Sequence, residues 1–489
     1  MHRDRLREHG AHDVAVAVLD NRNGEWLAWE GSGDYFDADH GGAIDGVVSP
    51  RQPGSALKPF TYALAFERGF TPASVLPDLP SHFPTALEGV VYSPRNYDGV
   101  FRGPLRVRPA LAGSENVPAV WTLSQVGVPD LLRLLRQAGL TTLDKSADHY
   151  GFALTMGDAE VRLDELVAGY STFARGGIAR APKMVRALVR PDGTRVEMPG
   201  AEPERILSDR AAFWIADVLS DSRARAYVFG VGGSLDFPFK VAAKTGTSQA
   251  YRDNWTVGFT REVTIGVWVG NFDREELRGS SGVTGAAPIF HDVLLAAQRR
   301  ATGRLPGPDD PPLAVPPPEL APRAICALSG LEATEHCPAV ETEWLPADRP
   351  MSSCLWHRRR GGRVVVSWPP RYRAWAREHG LLDITPITET QPPRSAAASG
   401  HGAGEALRIV NPPGGATYLR DPTLRDAFQT LPLRAVARAG SRLAWEIDGR
   451  EVGSAPPEAA VAWPLAPGRH VVSVRDEHGR RDEAEIVVK

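Results

Sequence analysis

Lysine is scarce in this chain. Of 489 residues, 56 are Lys or Arg, but only Lys58, Lys145, Lys183, Lys240, Lys244 and Lys489 are lysines, leaving 50 arginines. Arginine cannot release its proton, so it can never act as a base; a desolvated lysine can. Other absences narrow the function further. No uninterrupted apolar run approaches the ~18 residues of a membrane-spanning helix. The first ten residues, MHRDRLREHG, are polar and lack the apolar core of a signal peptide. The formal net charge is only −3, which gives no nucleic-acid or anionic-membrane signal. The 13 histidines show no paired metal-ligand spacing in the first domain, so no metal ligand and no cofactor is assigned to a catalytic site there. Hydrophobic content of 42% and charged content of 24% are those of a globular protein, and the length calls for two or three domains.

What is present is an ordered set of polar motifs. Ser55-Ala56-Leu57-Lys58 puts an amine one helical turn from a hydroxyl. Ser114-Glu115-Asn116 offers a second hydroxyl and a side-chain amide. Lys244-Thr245-Gly246-Thr247 offers a cation and two hydroxyls on a strand. Each motif alone is commonplace, and Ser114 and Asn116 are also good helix caps. Together they supply the parts of acyl transfer: nucleophile, base, proton route and anion site. Ser55 is the candidate nucleophile. Lys58, at i+3 and within hydrogen-bond reach, is its base when neutral. Asn116 holds Lys58 and a substrate amide, and Ser114 relays a proton to the departing nitrogen. Lys244, Thr245 and Thr247 receive a substrate carboxylate, while Gly246 lets the strand backbone pass close. The N–H groups of Ser55 and Thr247 form the oxyanion hole.

Periodicity places these motifs. Residues 14–19 and 25–29 read as a strand pair around the turn Asn21-Arg22-Asn23-Gly24. A helix runs over 60–68, just after Ser55, and others over 161–173 and 286–297. Strands are expected over 239–244, 256–260 and 264–269. Strands, then helices, then strands again make an α+β layout with an antiparallel sheet and segregated helices. The resulting division is a catalytic domain over 1–302, a proline-rich linker over 303–323, a cysteine-bearing module over 324–382, a flexible linker over 383–406, and a small β-sandwich over 407–489. That last domain carries no motif residue, and it is expected to bind a partner rather than to catalyse. For Cys326, Cys337 and Cys354, a disulfide between two of the three is the first reading, and a Cys3His zinc site using His357 is the second.

The three motifs are the joint signature of serine β-lactamases and penicillin-binding proteins, with Glu115 in the broader S-x-N form. The chain resembles class A penicillin-binding proteins, in particular the transpeptidase module and C-terminal extension of their 1C type. The likeness extends to Arg51-Gln52-Pro53-Gly54 before Ser55, Pro94-Arg95-Asn96-Tyr97, Val117-Pro118, Ala168-Gly169-Tyr170 and Asp253-Asn254-Trp255. It implies a penicillin-binding, β-lactamase-like fold and a D,D-transpeptidase acting on peptidoglycan stem peptides and acylated by β-lactams. A D,D-carboxypeptidase and an inactive β-lactam-binding scaffold are the alternatives. A β-lactamase is disfavoured, because no Glu-x-x-Leu-Asn element lies between the second and third motifs. The resemblance also implies a periplasmic, inner-membrane-associated site of action and a cell-wall or divisome partner for the C-terminal domain. The membrane helix and glycosyltransferase domain of that architecture are not in this sequence, so polymerase activity is not carried over; a truncated product, or a polymerising half on a separate chain, is expected.

Overall fold

The computed structural model describes residues 6–84, 91–248, 251–307, 309–360, 362–382, 407–412, 414–418, 430–437, 441–457 and 461–488. The flexible linker expected over 383–406 lies outside them.

A five-stranded antiparallel sheet organises the larger unit. Its strands are β1 (Asp13–Asp20), β2 (Trp26–Glu30), β3 (Ala242–Thr247), β4 (Asp253–Phe259) and β5 (Val263–Gly270), in the order β3-β4-β5-β1-β2. Side chains alternate across a strand, and both faces are covered. Ala15, Ala17, Leu19, Trp255, Val257 and Phe259 join one core with α1 (Lys58–Glu67), α2 (Val107–Ala112), α3 (Asn116–Val126), α4 (Leu163–Ala174) and α5 (Asp209–Leu219). Val16, Val18, Val263, Ile265, Val267 and Val269 join a second core under α6 (Ala287–Thr302). Burial on both sides explains why β5 is an almost unbroken apolar run with every residue buried. α1 is equally enclosed: Lys58 through Phe66 are all buried, as expected for a helix with no polar face.

The cysteine-bearing segment packs within the same unit. It contains two hairpins, β6 (Leu320–Cys326) with β7 (Val340–Pro346), and β8 (His357–Arg360) with β9 (Arg363–Val366). The proline-rich stretch before it is anchored, because Leu313 and Ala314 pack on the larger core and its last residues already belong to β6. The disulfide expected among the three cysteines is not formed; all three are free thiols.

The second unit holds the C-terminal β-sandwich. Strands Arg408–Asn411, Thr430–Val436 and Val461–Pro464 make one sheet. Ala416–Tyr418, Arg481–Val488, Gly468–Asp476, Leu443–Ile447 and Arg450–Ala455 make the other. Leu431, Leu433 and Trp463 meet Trp445, Val472, Val474 and Ile486 in a core of their own. Among the described residues, no helix is long and apolar enough to cross a membrane.

Candidate active site

Ser55 sits on a single 3-10 turn, Gly54–Leu57, that runs into α1. The turn is wedged against β3. Gly54 has φ of +56°, and a Cβ there would lie 2.4 Å from the Thr247 carbonyl oxygen. A Cβ on Gly246 would lie 2.1 Å from the Pro53 carbonyl oxygen. Only glycine fits at either position, and the pair brings the backbone of Thr247 to the turn that carries Ser55. Tyr170 on α4 fixes the same turn by donating to the Ala56 carbonyl at 2.6 Å, and Trp255 Nε1 donates to the Gln52 carbonyl at 2.8 Å.

Lys58 is fully buried. Its Nζ donates to the Ser114 carbonyl at 2.5 Å and to Asn116 Oδ1 at 2.6 Å. The spacing places Lys58 beside Ser55 on one helical turn, but the amine is turned to the second motif; among the described residues, Ser55 Oγ makes no hydrogen bond. Burial pushes the Lys58 amine from its ordinary 10.5 down to about 7, against the opposing pull of Glu115. Lys244 is also buried, and its Nζ donates to Ser114 Oγ at 2.7 Å and to the Thr245 carbonyl at 2.8 Å. Burial, reinforced by the charge of Lys58, holds it well below the usual lysine range. The two amines therefore meet through one serine, Lys58 on its carbonyl and Lys244 on its hydroxyl.

Ser114 takes this position with φ of +65°, a left-handed conformation that a serine adopts at a cost. The helix-cap reading of the second motif fails. α3 begins at Asn116 with no side-chain cap from its N-cap residue, Glu115. Asn96 supplies the cap instead, its Oδ1 accepting from the N–H of Asn116 at 2.9 Å and of Val117 at 3.1 Å. Asn96 is held in turn by Asp78 at 2.7 Å, and Asn116 Nδ2 donates to the Arg95 carbonyl at 2.8 Å. Glu115 turns away from the amines toward Arg102 at 3.2 Å and the Tyr227 hydroxyl at 2.9 Å. Asn96, Asp78, Arg102 and Tyr227 received no role from sequence reasoning. Asn96 lay in a quoted run, but only its position in space reveals it as the cap.

On β3, the two-residue period puts Lys244 and Gly246 on the face toward the nucleophile turn, and Thr245 and Thr247 on the other. Thr247 Oγ1 accepts from the Gly282 N–H at 3.0 Å, which leaves its hydroxyl proton free to donate. Ser55, Lys58, Ser114, Asn116 and Lys244 thus come together at the junction of α1, α3 and β3, with Thr245 and Thr247 on the same strand.

A fully buried amine near neutrality, a hydroxyl on a tight turn and a serine bridging two lysines are groups that acyl transfer on a serine would use. The chain belongs to the family described as the penicillin binding protein transpeptidase domain, which matches residues 14–295. Residues 396–488 match the penicillin-binding protein C-terminus family. The chain is similar to penicillin-binding protein 1C of Escherichia coli (strain K12), 29% identical over 467 residues, covering 89% of this chain and 56% of that one. Penicillin-binding protein 1A of Neisseria gonorrhoeae is 28% identical over 300 residues, 59% of this chain and 36% of the relative. The chain therefore spans about half the length of the first relative and about a third of the second. Among solved structures, penicillin-binding protein 1A from Haemophilus influenzae aligns with a TM-score of 0.57 at 23% identity, covering 69% of this chain and 53% of that chain. The PonA1 protein of Mycobacterium tuberculosis in complex with penicillin V aligns with a TM-score of 0.51 at 21% identity, covering 62% and 84%. These two structures show a shared fold.

Proposed function

We propose that this chain is a peptidoglycan D,D-transpeptidase that cross-links stem peptides through an acyl-enzyme on Ser55. The bonding of Lys58 is the observation that carries this reading. A neutral amine has two N–H donors and one lone pair. The Ser114 carbonyl and Asn116 Oδ1 accept the two donors, so the lone pair is left for the Ser55 hydroxyl. Lys58 takes the Oγ proton as Ser55 attacks the D-Ala-D-Ala carbonyl carbon, and the Ser55 and Thr247 N–H groups meet the charge that develops on the oxygen. Ser114, whose Oγ already accepts from Lys244, passes its own proton to the departing nitrogen, and D-Ala leaves. Protonated Lys58 restores the Ser114 hydroxyl and is neutral again, so when an amine from a second stem attacks the ester it gives its proton to Lys58, which returns it to the Ser55 oxygen as that bond breaks. β3 is the edge strand of its sheet, so Thr245 and Thr247 receive the substrate carboxylate along that edge beside Lys244, and the carboxylate's charge drives Lys244 toward its protonated form.

The working division is a transpeptidase domain over 1–302, the linkers and cysteine module between, and a C-terminal domain over 407–489 that binds cell-wall material or a division protein. Its place of action is the periplasm, at the inner membrane. Penicillin should acylate Ser55 and remain there, because Glu115, the carboxylate within the second motif, is engaged by Arg102 and Tyr227 rather than free to activate water. Intact-protein mass spectrometry should find one penicillin on the Ser55 peptide and none in Ser55→Ala. Stem peptide supplied with and without an acceptor amine separates cross-linking from hydrolysis: product formed only with water makes the chain a carboxypeptidase, and rapid penicillin turnover makes it a β-lactamase.

A further inference from the structure

Away from the cleft, four potential metal ligands converge. Cys326 ends β6, His357 opens β8, and Cys337 and Cys354 lie on the connections between strands. One ligand atom from each, three Sγ and one imidazole nitrogen, fall within 4.8 Å of one another. His357 Nδ1 is 3.3 Å from Cys326 Sγ and 3.5 Å from Cys354 Sγ. With Zn–S of about 2.3 Å and Zn–N of about 2.0–2.1 Å, neighbouring vertices of a tetrahedron stand about 3.5–3.8 Å apart, so the four atoms already sit close to that arrangement. Cys326, Cys354 and His357 are buried.

The surroundings of the sulfurs fit thiolates. The Ser329 N–H points at Cys326 Sγ at 3.5 Å, the Ser329 hydroxyl at Cys354 Sγ at 3.2 Å, and the Thr334 N–H at Cys337 Sγ at 3.3 Å. Such donors orient ligating sulfurs and offset their charge. An independent observation is the poverty of the local core. β6 and β7 reach the larger core at Leu320 and Trp344, but the apolar cluster near the cysteines is Ala73, Ile325 and Leu345, with Met351 packed against it, too little to order the connections that carry the cysteines.

We propose that Cys326, Cys337, Cys354 and His357 bind one zinc ion, which staples β6, β8 and the connections between them. Three soft sulfurs and one imidazole in a tetrahedron are the donor set of zinc rather than of magnesium or calcium. Four protein ligands close the coordination sphere, so the site is structural. Binding releases three thiol protons, forms three Zn–S bonds and one Zn–N bond, and changes no oxidation state.

The test uses the full chain, purified without chelator. One zinc per chain is expected by elemental analysis, with three thiols that react only after a strong chelator is added. Replacing zinc by cobalt(II) in the wild-type chain should give the intense visible bands of a tetrahedral thiolate site. Cys337→Ser and His357→Asn should each bind zinc at least about tenfold more weakly, with penicillin labelling of Ser55 reporting that the variants are folded. The cobalt spectrum decides the matter if a variant does not fold. One reactive thiol and no zinc would mean a disulfide, and three freely reactive thiols with no cobalt spectrum would mean no metal site; either overturns the proposal.

Discussion

The catalytic cleft and the cysteine module belong to one compact unit, but they are held in opposite ways. In the cleft, Lys58 and Lys244 are buried inside an extensive apolar core that runs from the sheet through α1, α4 and α5. That core is large enough to keep two amines dry at a cost to stability, and dryness lowers the proton affinity of both. The module has almost no core of its own, so polar cross-links order it. Arg106 pairs with Glu341 on β7, and its Nε donates to the Ala327 carbonyl at 2.8 Å. Arg108 grips buried Glu343 with Nε at 2.7 Å, and also reaches Asp217 and Asp221. Apolar burial can subsidise strained chemistry; where it is thin, directional bonds must fix the geometry instead.

The largest test of that contrast falls on Lys58. Lys58→Ala should slow penicillin acylation by about 10²–10⁴-fold, the usual scale for losing a general base. In the wild type, acylation should accelerate as pH rises through about 7, where Lys58 loses its proton, and then level off. The same shift has a stability sign. The unfolded lysine holds its proton to about 10.5 and the folded one only to about 7, so the unfolded chain binds more protons between those values, and this residue's contribution to stability rises with pH across that window. A pH-independent acylation rate would show that burial in the cleft does not tune Lys58.

Where the two regions meet, Arg108 should matter more than Arg106. Glu343 is almost wholly buried, whereas the Glu341 side chain is 48% exposed. Arg108→Ala strands a buried carboxylate and should cost about 3–5 kcal/mol in urea unfolding. Arg106→Ala leaves Glu341 to water and should cost about 1–2 kcal/mol. Equal losses would mean that the module does not depend on its buried pair.

How much of this the sequence revealed follows from the range of each interaction. β1, β2, α1 and α4 were legible because short apolar runs bounded by turns and helical period are local, as in Val14 to Leu19 and in Phe60 to Glu67. The motif residues could be singled out because residue type and order are local features, and the fold brings Lys58, Ser114, Asn116 and Lys244 together. What escaped depends on distant partners. Lys58 was read as facing Ser55 and held by Asn116; the Asn116 bond is there, but the second bond, to the Ser114 carbonyl more than fifty residues on, was not anticipated. The cap of α3 comes from Asn96, twenty residues before it. The third strand begins at Ala242 and runs through Thr247, later than the apolar run 239–244 suggests, because pairing with β4 decides its limits. The cysteines, with ten and sixteen residues between them, offered only Cys354-Leu355-Trp356-His357 as a metal-like spacing, so zinc stood second to a disulfide; two separate hairpins bring the four residues together.

The smallest effect sharpens the contrast within the cleft itself. Ser114 combines the hydroxyl proposed to relay a proton with a left-handed backbone, φ of +65°. Ser114→Ala and Ser114→Gly both remove the hydroxyl that accepts from Lys244, so both should lose acylation rate to a similar degree. They should differ in stability. Alanine keeps the Cβ that makes this conformation unfavourable, and glycine removes it. The glycine variant should therefore be more stable than the alanine variant by about 1 kcal/mol in urea unfolding. This is strain that the surrounding core tolerates so that one residue can present its carbonyl to Lys58 and its hydroxyl to Lys244. If the two variants are equally stable, the left-handed turn carries no strain, and Ser114 is placed by its hydrogen bonds alone.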